Sequence, residues 1–192
     1  MKVEFDISKC STRFLNELAK ITESKETLKE IVDYAITDDH YDEKSLDEFY
    51  LEAVIMNPKV SIESIQAIIK CKNARYARWS IVDREVLSQD IMEQVAKLEK
   101  DFSLIGYMLE KHPITEEIAN IIASRLVGNE IDLNDCIRYD SPEERALYEK
   151  DAIELILKKC SSEWKEKLRK WYSEKNWHKK NTYLCKCSFF IL

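Results

Sequence analysis

Residues 57–82 read NPKVSIESIQAIIKCKNARYARWSIV, and a degenerate copy of this pattern follows twice. The copies are residues 83–109, DREVLSQDIMEQVAKLEKDFSLIGYML, and residues 110–136, EKHPITEEIANIIASRLVGNEIDLNDC. Placing Val60 on Val86 aligns the first two blocks, and placing Val86 on Pro113 aligns the third. Apolar positions recur while the residues between them vary, which is typical of stacked repeats that each bury the same face. The alternative is chance periodicity in an amphipathic helical chain.

Each block has the pattern of two short helices. In the first block Ser61 is a suitable N-cap for a helix over 62–69, and a second helix is predicted over 74–82. Ser88 and Thr115 precede the corresponding helices of the next two blocks. No segment alternates with the period of a strand. The predicted fold class is therefore all-α, a short α-solenoid of paired short helices with about four degenerate repeats and a C-terminal helical cap.

The composition favours a single helical domain over residues 1–192. The chain has 2 glycines and 3 prolines, which suits helices joined by short loops. We predict an N-terminal cap over 1–19, repeats over 20–140, a C-terminal helical cap over 141–176 and a tail over 177–192. No apolar run is long enough to span a bilayer, and the acidic start lacks a signal segment. We therefore expect a cytoplasmic protein with no membrane partner.

The junctions between the blocks resemble those of the leucine-rich repeat variant family and, more loosely, those of HEAT-type helical repeats. The resemblance rests on AVIMNPKVS at 53–61, LEKHPITEEI at 109–118, and ARW at 77–79 in the place of the family's Val-Arg segment. It covers residues 20–140, although the block 83–109 lacks the junction proline and asparagine. The resemblance implies stacked helix pairs. The iron–sulfur cysteine cluster of the founding member has no counterpart here, so that cofactor is not carried over.

Charge is distributed unevenly along the chain. Residues 1–150 contain 20 Lys and Arg against 31 Asp and Glu, whereas residues 151–192 contain 10 against 5. The acidic excess is concentrated in an apparent insertion in the first repeat, whose candidate partner-binding residues are Asp38, Asp39, Asp42 and Glu43. Such a negative surface would steer and orient a basic partner protein. The alternative is a solvated connector, and the spacing does not match a calcium loop.

The C-terminal segment differs from the repeats. Ser141-Pro142 predicts a helix start, and a second helix near 162–174 presents an aromatic stripe flanked by basic residues. We interpret the pair as the unit that covers the exposed end of the core. The alternative is that the basic, tryptophan-rich segment contacts nucleic acid or an anionic surface.

Catalytic and cofactor-binding motifs are missing from the sequence. His40, His112 and His178 lie in separate contexts, and no glycine-rich phosphate loop, nucleophile elbow or metalloprotease motif occurs. Cys185-Lys186-Cys187 is the one close cysteine pair, and structural zinc normally needs a second pair. We therefore predict a protein that is not an enzyme and that holds no cofactor or metal.

These observations predict a non-enzymatic module that binds another protein on its solenoid surface. The candidate contacts on the second helices of the repeats are Tyr50, Glu52, Arg75, Arg78, Trp79 and Tyr107. A more specific hypothesis is an immunity or antitoxin-type inhibitor that covers a basic toxin surface. The alternative is a nucleic-acid-binding relative of HEAT-like DNA glycosylases, with Trp79, Arg75 and Arg78 lining a groove. The acidic repeat body argues against it, because phosphate contacts dominate DNA affinity.

Overall fold

The computed structural model describes the backbone of residues 6–37, 50–71, 74–131, 133 and 141–187, with all side chains except those of residues 37, 75, 142 and 176–187. These ranges contain a short 3-10 helix, Ile7–Lys9, ten α-helices and no strand. The α-helices are α1 (Thr12–Ile21), α2 (Lys25–Thr37), α3 (Tyr50–Met56), α4 (Ile62–Lys70), α5 (Arg75–Asp83), α6 (Gln89–Leu98), α7 (Phe102–Lys111), α8 (Glu116–Val127), α9 (Pro142–Lys159) and α10 (Ser162–Cys187). The predicted all-α class is confirmed for this part of the chain. None of these helices is long and apolar enough to cross a membrane.

The N-caps of three helices recur at a constant spacing. Ser61, Ser88 and Thr115 precede α4, α6 and α8 at equal intervals along the chain. Each hydroxyl accepts the backbone N–H three residues further on, at 3.1, 3.4 and 3.3 Å respectively. The predicted alignment of Val60 with Val86 is therefore out of register by one position. Val60 corresponds to the buried Leu87, whereas Val86 is 81% exposed.

The helices pack in two rows. The odd-numbered helices contact one another in succession from α1 to α9, and the even-numbered helices do so from α2 to α10. Neighbours along the chain, such as α4 and α5, join the rows. Buried apolar side chains form one continuous cluster that runs from Ile7 to Trp171. Helix α7 is buried on nearly all sides, because it packs between α5 and α9 and against α6.

Two sides of this arrangement carry the connecting segments. We call one side the cap edge; it consists of residues 21–26, 56–63, 84–90 and 112–117, where odd-numbered helices end and even-numbered helices begin. We call the other side the arginine edge. It includes Cys71, Ala74 and residues 99–101, where even-numbered helices end and odd-numbered helices begin.

At the ends of α1, α5 and α6, carbonyls are satisfied by side chains from elsewhere in the fold. Such carbonyls have no partner within the helix and are often covered by a glycine turn, but this chain has only 2 glycines. At the cap edge, Asn57 Nδ2 donates to the carbonyls of Ala19 and Thr22 at 2.8 and 2.9 Å. His112 Nε2 lies 2.8 Å from the Val82 carbonyl oxygen, which can only accept. Asn57 and His112 precede Pro58 and Pro113. Each of them therefore bonds the end of its own helix, α3 or α7, to the end of the preceding helix in the same row, α1 or α5.

The C-terminal helix pair starts as predicted but ends differently. Ser141 caps α9, with proline in its first turn. Leu168 and Trp171 of α10 belong to the core cluster, which agrees with the predicted covering role of this helix. Helix α10 continues to Cys187, beyond the helix end predicted near residue 174.

Gly106 of α7 is required by the close approach of α9. A Cβ atom at this position would lie 2.3 Å from the Tyr148 hydroxyl oxygen and 2.6 Å from its Cζ. Tyr148 is 5% exposed, and its hydroxyl donates to the Ser103 carbonyl at 2.7 Å. The ring therefore has no open space into which it can move.

We expect Gly106→Ala to lower the free energy of unfolding by about 1–3 kcal/mol through overpacking. Helix propensity alone predicts the opposite sign, a gain of about 1 kcal/mol. Urea denaturation of the purified variant measures the difference. Adding Tyr148→Phe removes the nearest atom and should recover part of the loss. A stabilised Gly106→Ala variant would show that α7 and α9 are further apart than described.

Candidate functional site

The predicted partner-binding residues fall into three groups in the structure. Asp38, Asp39, Asp42 and Glu43 lie outside the described residues, as does the side chain of Arg75. The second group, Tyr50 and Arg78, faces the interior of the molecule. The third group, Glu52, Trp79 and Tyr107, lies at the surface of the odd-numbered row.

Tyr50 and Arg78, which were predicted as partner contacts, belong to the inward-facing group. Tyr50 is completely buried, because α3 packs against α1, α2 and α5. The Arg78 side chain is 13% exposed and donates to the carbonyl of Cys71, the residue that follows α4, at 2.6 Å. Its Nε lies 3.1 Å from Glu99 Oε2, as an ion pair without the alignment of a hydrogen bond. Arg78 therefore stabilises the arginine edge.

Two further charged residues complete this buried network, and our sequence reasoning missed them. Glu99 follows α6 and accepts the N–H groups of Lys100 and Asp101 at 2.8 and 2.9 Å. Arg125 of α8 donates to the carbonyls of Ala96 and Glu99 at 2.7 Å each. The signal for Arg125 is visible in the sequence, since a lone charge inside the apolar stretch IIASRLV at 121–127 needs a buried partner.

Trp79 and Tyr107 are brought together at the surface, one from α5 and one from α7. Their ring centroids are 5.4 Å apart at an interplanar angle of 50°, and both rings are half-buried against the core. Asp83 Oδ1 accepts from the Tyr107 hydroxyl and from Lys111 Nζ, each at 2.7 Å. Lys111 Nζ also lies 5.7 Å from the centre of the Tyr107 ring. We call Trp79, Asp83, Tyr107 and Lys111 the aromatic cluster.

Glu52 is the remaining predicted contact. It is half-buried on α3, the neighbour of α5 in the same row. Its position is compatible with a surface that extends from the aromatic cluster towards α3.

Hydrogen bonds hold the aromatic cluster in one arrangement. Donation from Lys111 and then from Tyr107 lowers the pKa of the Asp83 carboxyl, and the same contact raises the pKa of Lys111. Both groups therefore stay charged across the neutral range. The tyrosine ring is fixed by its hydroxyl, so a partner would not have to order it on binding.

We expect Asp83→Asn to destabilise the protein by less than about 1 kcal/mol, because solvent screens a carboxylate that is 64% exposed. Since the folded-state pKa is lowered, the stabilisation is present above the unfolded pKa of about 4 and is lost as pH falls through the folded value. Urea midpoints of both proteins at neutral pH and at about pH 3 check this. A difference that persists at acid pH would contradict an electrostatic origin.

A shallow groove lies between α8 and α10, with a volume of about 530 Å³. It is lined by Glu116, Glu117, Asn120, Ile121, Ser124 and Trp164. Asn120 Oδ1 accepts the backbone N–H of Ser161, which fixes the start of α10 beside α8. Lys167 Nζ lies 4.6 Å from the centre of the Trp164 ring, so the indole already faces one cation.

The described residues contain no group of three His, Cys, Asp or Glu side chains placed to hold a metal ion. His112 is committed to the Val82 carbonyl, as described above. Burial raises the pKa of the Cys160 thiol, which lowers the fraction of reactive thiolate. Comparison of the chain with protein-family models, with curated proteins and with solved structures finds no match.

Proposed function

We propose that this protein is a non-enzymatic protein-interaction module, built as a short α-solenoid, whose aromatic cluster lies at the centre of the contact surface. Two rows of successively packed helices, with three N-caps at equal intervals along the chain, support the solenoid and the likeness to leucine-rich repeat variant and HEAT-type repeats. In such proteins equivalent helices form a continuous surface that is used for binding.

The aromatic cluster is the single observation that carries the proposal. Tryptophan and tyrosine are enriched among residues that dominate binding energies, and they work best in well-packed positions. Trp79 and Tyr107 combine a buried underside with an accessible face. The bonds of Asp83 to Tyr107 and Lys111 fix the geometry before a partner arrives, which reduces the entropic cost of binding.

A basic protein is the partner class that we propose. Residues 1–150 hold 11 more acidic than basic side chains, which favours a positively charged partner. An immunity or antitoxin-type inhibitor of a basic toxin is the specific form of this proposal. It includes residence in the cytoplasm, where the free thiols of Cys10, Cys71 and Cys160 would stay reduced.

The nucleic-acid alternative loses support. It required Arg78 beside Trp79 in an open groove, but the Arg78 guanidinium is engaged by Glu99 and by the Cys71 carbonyl. Sequence-independent DNA binding depends on cations that are free to neutralise phosphates.

Affinity capture from the cells that make this protein, followed by mass spectrometry, tests the proposal. We expect Trp79→Ala to reduce the recovery of a specific partner by about tenfold or more, as for a central aromatic contact. Tyr76→Ala is the matched control, because Tyr76 is an exposed aromatic residue on the same helix. Circular dichroism establishes that both variants fold. Equal recovery by wild type and Trp79→Ala, or salt-sensitive DNA binding without any protein partner, contradicts the proposal.

A further inference from the structure

Exposed apolar side chains are concentrated at the cap edge. Ile21 ends α1, Met56 ends α3, and Val86 lies between α5 and α6; these residues are 76%, 62% and 81% exposed. Ile62, the first residue of α4, is exposed as well. These are four of the seven large apolar residues that are exposed in the described part of the chain. Single exposed apolar residues are normal, whereas a row of them on one side of a molecule marks a contact surface.

Contacts between the connecting segments show that these positions are neighbours. Asn57, directly after Met56, bonds to the carbonyls of Ala19 and Thr22, which flank Ile21. Helices α3 and α5 pack side by side, as do α4 and α6, so the segment that joins α5 to α6 and holds Val86 is on the same side of the molecule as residues 57–61. The apolar side chains therefore follow one edge of the molecule.

Carboxylates line the same edge at equivalent positions. Glu26, Glu63, Asp90 and Glu117 each lie two residues after the Ser or Thr that caps an even-numbered helix, and all four are exposed. Residues 22–26, 57–63, 84–90 and 112–117 together hold seven carboxylates and three cationic side chains, Lys25, Lys59 and Arg84.

Two of these carboxylates, those of Glu26 and Glu63, are held in their charged form. The pKa of Glu63 is lowered by its own backbone N–H and by the Ser61 hydroxyl, and the pKa of Glu26 is lowered in the same way with Ser24. The helix dipole favours a negative charge at this position. The start of the helix thus stabilises the charged form of each carboxylate, and the exposed side chain remains available to a partner.

The groove between α8 and α10 continues the cap edge at its C-terminal end. Glu116 and Glu117 belong both to the edge and to the groove, and Trp164 forms the opposite wall. A cationic side chain in the groove would meet the carboxylates of Glu116 and Glu117 beside Trp164, whose ring already faces Lys167.

We infer that the cap edge is a docking surface for a basic, amphipathic segment of a partner protein. The inference rests on the proposed function and names the chemistry of the partner. Basic side chains of the segment pair with the carboxylates and enter the groove, while its apolar side chains cover Ile21, Met56 and Val86. Attraction between the opposite charges orients the segment and speeds its association with the cap edge. Burial of the apolar row then supplies affinity. A phosphate backbone or an anionic lipid surface would be repelled by the same carboxylates.

A synthetic helical peptide of lysine and leucine, with leucine on one face, is the probe. We expect it to bind the full-length protein, and a glutamate–leucine peptide of the same pattern not to bind. The variant Glu63→Lys/Asp90→Lys should bind the lysine peptide about tenfold or more weakly, and raised salt should have a similar effect. Met56→Gln/Val86→Gln should also bind more weakly, with less change in salt dependence.

Glu143→Lys/Glu144→Lys is the matched control. These two residues occupy the first turn of α9, so they lose the same helix-dipole stabilisation, but they lie where an odd-numbered helix begins. The affinity of this control variant for the lysine peptide should stay within about twofold of wild type. The inference is overturned if the control weakens binding as much as the edge variant does, or if the lysine peptide does not bind.

Capture from the source cells separates this inference from the proposed function. A partner that is lost with Trp79→Ala but retained with Glu63→Lys/Asp90→Lys leaves the interaction module standing and overturns docking at the cap edge. A basic partner that is lost with the edge variant and retained with the α9 control supports docking. Absence of any specific partner in wild-type captures overturns the proposed function itself, whatever the peptide result.

Discussion

Replacing Arg125 with methionine is expected to lower the free energy of unfolding by about 3–5 kcal/mol. The Arg125 side chain is 8% exposed, and one of its nitrogens serves the carbonyls of both Ala96 and Glu99 at the end of α6. Methionine fills much of the same volume but donates nothing. Two carbonyls would then be left buried without a donor, and each such group costs about 1–3 kcal/mol. Urea denaturation of the purified variant measures the loss.

Two milder variants separate the contributions of this arginine. Glu130 pairs with Arg125 Nε at 3.1 Å but is 63% exposed, so Glu130→Gln should cost less than about 1 kcal/mol. Arg125→Lys keeps the charge but not the planar fork, and it should fall between the other two variants. If Glu130→Gln proved as damaging as Arg125→Met, the surface ion pair would be the important contact and our account of the carbonyls would be wrong.

The starts of the helices could be predicted from the sequence because N-caps are local. A Ser or Thr hydroxyl bonds to a backbone N–H three residues away, so the cap and the apolar run after it lie in one short window. Ser61, Ser88, Thr115 and Ser141 were identified in this way, and all four cap helices. The register of the apolar pattern was predicted with a slip of one residue, which placed the exposed Val86 at the position of the buried Leu87.

The ends of the helices could not be predicted in the same way. Their carbonyls are satisfied by side chains that are distant in sequence, such as Asn57 with Ala19 or Arg125 with Ala96. Helical spacing alone does not show which polar residue faces inward on a helix with neighbours on several sides. Arg78 and Trp79 are adjacent in sequence, yet Arg78 reaches Glu99 in the interior and Trp79 reaches Tyr107 at the surface.

The same reasoning explains what was missed in the candidate site. The pairing of Trp79 with Tyr107 agrees with their predicted places on successive second helices. The Asp83–Lys111 pair that fixes Tyr107 was not predicted, because two charges at the ends of separate helices give no signal in a single sequence. The apolar row of the cap edge was overlooked for a related reason. Ile21 and Met56 end their helices and Val86 lies between two helices, and each one alone resembles part of a core pattern.

Breaking the Arg78–Glu99 pair should also destabilise the protein strongly. Arg78→Met leaves the Glu99 carboxylate, which is 5% exposed, without its cation, and the expected loss is about 3–5 kcal/mol. Glu99→Gln keeps an oxygen for the N–H groups of Lys100 and Asp101, so about 1–2 kcal/mol is expected. The double variant should lose less than the sum of the single variants by about 1–3 kcal/mol, because the buried charges interact.

The same variants also decide whether Arg78 acts in folding or in recognition. If it only stabilises the arginine edge, the folded fraction of Arg78→Met should capture the same partner as wild type, whereas Trp79→Ala should fold normally and lose the partner. Urea denaturation and affinity capture on the same preparations separate the two effects. If the double variant loses as much free energy of unfolding as the two single variants together, the ion pair contributes little. Loss of partner capture by folded Arg78→Met would return this arginine to the contact surface, which must then open between α5 and the end of α6 for Arg78 to reach a partner.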